Sequence, residues 1–127
     1  MRTGVWVACA ALVVIVAFGV WSTGTMAGLS GKYVSAAEEL LALTQMESWQ
    51  RAGEAVSDYR EQWDGASRWL QILVVHEELD AVDIALKRIQ AGIRARDVSL
   101  CFEGCAELRE NAEHLYHRDA LTIGNIL

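Results

Sequence analysis

Between Arg2 and Lys32 the chain carries no charged residue, and from Val5 to Trp21 (VWVACAALVVIVAFGVW) every position is apolar or small. Such a run is stable in water only if buried, and a bilayer is its natural solvent. At a rise of 1.5 Å per residue, Val5 to Gly24 spans roughly 30 Å, which matches a hydrocarbon core. Trp6 and Trp21 then fall near the two interfaces, where an indole buries its rings and keeps its N–H wet.

A cleaved signal peptide is the rival reading, with Arg2 as its positive start and Thr25-Met26-Ala27 as a small-residue cleavage site. The apolar run favours retention, because it exceeds the roughly 7 to 15 residues of a signal-peptide core and ends in a bulky Trp. Residues 1–24 are therefore expected to be a transmembrane anchor or an uncleaved signal-like segment, 25–31 a flexible linker, and 32–127 a helical domain outside the cytoplasm. Orientation rests on Arg2 with the amino terminus on one side. The whole chain holds 17 acidic against 11 basic residues, and the acidic excess lies beyond the anchor.

Composition sets the fold class. Apolar residues make up 53% of the chain, charged residues 22%, and proline is absent, so nothing forces a helix to stop. The spacing predicts four helical segments. Lys32 to Glu47 places Ala36, Ala37, Leu40, Leu41 and Leu43 along one side. In a second segment, capped by Ser48, Trp49, Ala52, Val56, Tyr59 and Trp63 recur at steps of three and four. Asp64-Gly65 reads as a turn or bend. A third segment, Ser67 to Ala91, begins a seam of Val75, Leu79, Val82, Leu86, Ile89 and Ile93, with Gly92, Arg94 and Arg96 marking its end. Asp97 caps a fourth, whose stripe is Cys101, Cys105, Leu108, Ala112 and Leu115. The expected fold is all-α: an N-terminal transmembrane helix followed by a small antiparallel helical bundle or pair of helical hairpins. The seam would serve a homodimer equally well, since periodicity does not distinguish the two.

Enzymatic function is not expected. The sequence lacks a glycine-rich phosphate loop, a Gly-x-Ser-x-Gly elbow and a Cys-x-x-Cys pair, and nothing places a nucleophile beside a base. A net charge of −6 argues against nucleic acid as a partner. No cofactor is implied. Cys101 and Cys105 with His114 and His117 resemble a zinc set, yet on one helix the imidazoles fall on the face opposite the thiols, so the cysteines read as small buried apolar groups. His76, Asp80 and Asp83 line one side of the third segment and form the candidate cation or proton site. Lys87 on the same side would pair with Asp83 and repel a cation, and the set also fits a polar network that fixes helix register. The apolar tail, with Leu121, Ile123, Asn125, Ile126 and Leu127, is the candidate surface for docking a protein partner in the membrane. The lipid bilayer is the other expected partner, through Val5 to Gly24.

Several blocks carry a resemblance: the anchor, Ser-Trp-Gln-Arg-Ala at Ser48 to Ala52, Trp63 and Trp69, His-Glu-Glu-Leu-Asp at His76 to Asp80, Leu86-Lys87-Arg88-Ile89, and the terminal Leu-Thr-Ile-Gly-Asn-Ile-Leu. Together they resemble the domain-of-unknown-function family four-three-six-three of Clostridia and other spore-forming Firmicutes, over nearly the whole chain. The resemblance implies a small single-pass membrane protein, all-helical outside the bilayer, with a role in sporulation by association and no catalytic residue to carry over. This chain departs from the family in favouring Arg, Ala and Gly over Lys and Glu. The Cys101/Cys105 pair is not part of the shared pattern.

Overall fold

The structure, a computed structural model, describes the backbone of residues 2–72, 74 and 76–126, and the side chains of these residues as far as 115. Four helices follow one another: α1 (Arg2–Gln45), α2 (Trp49–Leu70), α3 (His76–Ala95) and α4 (Val98–Ile126). They run up and down in chain order, each against the next, and α4 closes the ring against α1. The all-α expectation holds among the described residues, and the antiparallel arrangement is that of a four-helix bundle.

Length decides what is inside. At 1.5 Å per residue the 44 residues of α1 extend about 66 Å, twice the roughly 33 Å of the 22-residue α2. Only the second half of α1 has bundle to pack against, and its buried positions begin at Ser22 and continue through Met26, Ser30 and Tyr33 to Leu43 and Thr44. The first half projects beyond the bundle. From Val5 to Trp21 its large apolar side chains each leave 46–74% of their surface exposed.

The core joins Met26, Tyr33 and Leu40 of α1 with Val56, Trp63 and Leu70 of α2, the α3 seam from Leu79 to Ile93, and the complete α4 stripe from Cys101 to Leu115. Burying one such side chain stabilises the fold by about 1.5–3 kcal/mol, so the stripes and not the intrinsic propensities hold the helices. The described part of the seam is thus covered by the chain's own helices. Val75, its expected first member, lies outside the described residues.

Residues 25–31 are helical, which corrects the expected flexible linker. Each glycine in a helix costs about 1 kcal/mol relative to alanine, but Ser22, Met26, Ser30 and Tyr33 recur on one face and the burial of Met26 and Tyr33 outweighs that cost. The same physics removes the turn expected at Asp64-Gly65. Val56, Trp63 and Leu70 repeat every seven residues, all buried, and carry α2 through the pair. The third segment does not run from Ser67. Ser67 to Leu70 close α2, and α3 starts at His76; Ile72 and Val74 between them are β-branched and lose side-chain freedom in a helix.

The turns after α1 and α3 share one geometry. Glu47 and Arg96 adopt left-handed backbone, with φ of 56° and 54°. In each turn the next N–H reaches back to seal the helix: Ser48 N to Leu43 O at 2.9 Å, and Asp97 N to Gly92 O at 2.9 Å. This is the Schellman arrangement. Asp97 Oδ1 then accepts the Leu100 N–H at 3.1 Å and caps α4 as expected. Ser48 does not cap α2: its ψ of 65° keeps the hydroxyl from the free N–H groups, and no side-chain cap bond forms. Gly92 is not an end signal either, since α3 continues to Ala95.

Candidate functional site

Seven-residue spacing on α2 and the 76, 80, 83 spacing on α3 turn two polar edges toward each other. Asp64, Ser67 and Gln71 face His76, Asp80 and Asp83 across a cleft of about 150 Å³, with Trp63 and Leu79 also lining it. Trp63 is buried and fixed by an edge-on contact with Tyr33, ring centroids 5.0 Å apart. The structure therefore gathers His76, Asp80 and Asp83 at one rim, as the sequence spacing implies.

Their chemistry is limited. Asp83 Oδ2 is paired with Lys87 Nζ at 2.8 Å, so its charge is already matched. Ser67 donates to the backbone carbonyl of Asp64 at 3.1 Å instead of to a carboxylate. Among the described residues no three His, Cys, Asp or Glu side chains converge closely enough to hold a metal ion.

The thiols are equally quiet. Cys101 and Cys105 are buried and unbonded to each other, on the stripe the sequence assigned them. Burial pushes the Cys101 thiol above its ordinary value, with Asp97 adding to it, and pushes Cys105 up to about 12, with Cys101 adding to it. A thiol kept protonated is a poor nucleophile and a poor metal ligand. His114 is exposed while both thiols are buried, which separates the zinc-like set. The proposed docking residues Leu121, Ile123, Asn125, Ile126 and Leu127 lie outside the described side chains.

Polar ties between helices sit on the bundle surface. Tyr59 donates to Glu39 and Lys32 to Gln62 across α1 and α2. Arg60 donates to Gln90 across α2 and α3, and Arg88 pairs with Glu107 across α3 and α4. Burial raises the Tyr33 and Tyr59 hydroxyls to about 12, with Tyr59 acting next on Tyr33 and the bond to Glu39 acting next on Tyr59.

The most unusual region is the end of the bundle from which α1 projects. There the Trp21 ring lies 6.1 Å from that of Trp69, and Phe18 lies 5.8 Å from Trp21. The turn after Leu70 exposes 82% of Ile72. Sequence reasoning gave this turn no role. The signal was available, as Ile72 to Val75 is a charge-free apolar run between two charged helices.

Residues 20–126 match the family described as Domain of unknown function (DUF4363). The chain belongs to this family. The matched region begins beside Trp21, where α1 enters the bundle, and so takes in the four-helix bundle. No curated protein and no solved structure matches the chain. Of the four described helices, α1 is the one long and apolar enough to cross a membrane, with an 18-residue window of mean hydropathy 2.4.

Proposed function

We propose that the chain is a membrane-anchored, non-enzymatic interaction protein: the first half of α1 spans the bilayer, and the bundle, held outside the cytoplasm, docks a protein partner in the same membrane. The observation that carries this reading is the continuity of α1, whose apolar first half leaves its large side chains exposed while its second half is a core helix. Water would oppose so large an exposed apolar surface, whereas lipid tails favour it. Continuity also argues for retention. Cleavage after Ala27 would remove Met26, which is fully buried, together with the buried Ser22. A role in sporulation rests on the family resemblance alone.

The test is to express the full chain, wash membranes with alkaline carbonate, and weigh the intact protein. Retention in the pellet at full mass supports the anchor. A soluble product lacking its first residues would make α1 a signal sequence instead. Met46, 64% exposed in the turn after α1, reports orientation. In a Cys9→Ala background, Met46→Cys is expected to react with an impermeant maleimide in intact cells. Crosslinking in membranes is expected to capture a protein partner, and recovery of only the monomer would count against the interaction role.

The alternative, a cation or proton sensor built on His76, Asp80 and Asp83, is weaker because Lys87 already matches Asp83. A ligand that binds only the folded state raises its stability, so this alternative requires a melting temperature that rises with divalent cations, and we expect none.

A further inference from the structure

We propose that the turn between α2 and α3 is a second membrane contact, with Ile72 and Trp69 seated in the lipid interface beside the point where α1 leaves the bilayer. This rests on the reading of α1 as a spanning helix.

Register places the turn. Lys32 bonds Gln62 across the antiparallel α1 and α2, and ten residues toward the N-terminus of α1 lies Ser22, as ten residues toward the C-terminus of α2 lies Ile72. Both helices rise 1.5 Å per residue, so Leu70, where α2 ends, is level with Gly24, and the turn lies just beyond it toward Ser22. Trp21 and Trp69, whose rings touch within about one helical turn of that register, mark the same end of the bundle. A spanning segment from Val5 has its far interface at Trp21 to Gly24, at this same height.

Composition fits the depth. The distal turns carry Glu47, Arg96 and Asp97, whereas the sequence from Gln71 to Val75, between α2 and α3, has no charge. Turns in water favour Gly, Asn, Asp and Ser, so an isoleucine with 82% of its surface exposed is out of place in water and at home in lipid. Phe18, Trp21 and Trp69 form a continuous aromatic step from the span to the base of the bundle. Indoles prefer this interfacial level. Immediately beyond the turn, exposed Arg68, His76, Glu77 and Asp80 form a polar collar that stops deeper entry, and Arg68 can reach headgroup phosphates while its stem lies along apolar surface. Two attachment points, unlike one, fix the tilt and rotation of the bundle on the membrane.

The test uses the full chain in vesicles of phosphatidylcholine and phosphatidylglycerol, with Cys9→Ala and a bimane probe at one introduced cysteine: Ile72→Cys, Val13→Cys, or Met46→Cys at the distal end. The buried native thiols are blocked by Cys101→Ala and Cys105→Ala. The probe at 72 and at 13 is expected to emit at shorter wavelength than in water and to be quenched by bromine-labelled lipids, and the probe at 46 to show neither effect. Quenching at 13 with water-like emission at 72 would overturn the second contact and keep the spanning helix. No quenching at either would overturn both. In the unlabelled Ile72→Cys protein, a disulfide joining two copies, together with absence of lipid quenching in the labelled one, would put a second copy of the chain in place of lipid and also overturn the proposal.

Discussion

Gly92 on α3 faces Cys101 on α4 so closely that a Cβ added at Gly92 would lie 2.8 Å from the Cys101 sulfur and 3.1 Å from its backbone nitrogen. Twelve residues on, Gly104 meets Ile89 in the same way, at 2.8 Å from its Cγ1 and 3.2 Å from its nitrogen. The backbones of α3 and α4 touch through these two hydrogens. Gly92→Ala and Gly104→Ala are each expected to destabilise the bundle by about 1–3 kcal/mol, the usual cost of overpacking, because backbone atoms cannot step aside. Gly65→Ala, where nothing lies within 4 Å of the new methyl, is expected to stabilise by about 1 kcal/mol through helix propensity. Chemical denaturation of the three variants checks the opposite signs.

The two bundle thiols should be chemically silent in the folded protein. Burial keeps both protonated at neutral pH, and Cys105 up to about 12. In the Cys9→Ala protein, maleimide modification of Cys101 and Cys105 is expected only under unfolding conditions. Fast labelling of the native protein, followed by mass, would contradict their place in the core.

Alkaline pH should loosen the contact of α1 with α2. Tyr33 and Tyr59 hold their protons to about 12 in the fold, against 10.0 for an ordinary phenol. Between those values the folded state binds more protons than the unfolded one, so raising the pH favours unfolding. Stability from these groups is complete below pH 10 and is lost as pH rises through 12. Phenolate absorbance followed alongside helicity should show ionisation and unfolding together. Tyr59→Phe is expected to make the alkaline loss shallower.

Glu47 and Arg96 occupy left-handed positions where a side chain costs roughly 1–2 kcal/mol relative to glycine. Glu47→Gly and Arg96→Gly are each expected to raise stability by about 1 kcal/mol, less the added flexibility of the unfolded chain. Asp97→Ala should cost about 1 kcal/mol by freeing the Leu100 N–H, while Ser48→Ala, which loses no cap bond, should be nearly neutral. Thermal melts compare the four directly.

Helix type, most of the core positions on each helix and the α4 cap were legible because each depends on local spacing. Cys101, Cys105, Leu108, Ala112 and Leu115 are buried together because steps of four and three return a side chain to one face whatever the surroundings. The ion pair beside the candidate site was legible too, since Lys87 stands four residues from Asp83 and the pair forms. That the cleft also takes Asp64, Ser67 and Gln71 was not legible, because they come from another helix.

What the sequence by itself determined is therefore periodic: an apolar run too long for a soluble turn, four amphipathic helices, and membership in one family. The tertiary structure decided where those helices continue and where they stop. Glycines in 25–31 and at position 65 signal breaks locally, yet helix persists there because Met26, Trp63 and Leu70 have partners to bury against. Gly92 and Gly104 signal weakness locally, yet they allow α3 and α4 to touch. The physical reason is one of scale: a local preference is worth about 1 kcal/mol per residue, a buried large side chain about 1.5–3, and only the assembled bundle determines which residues are buried.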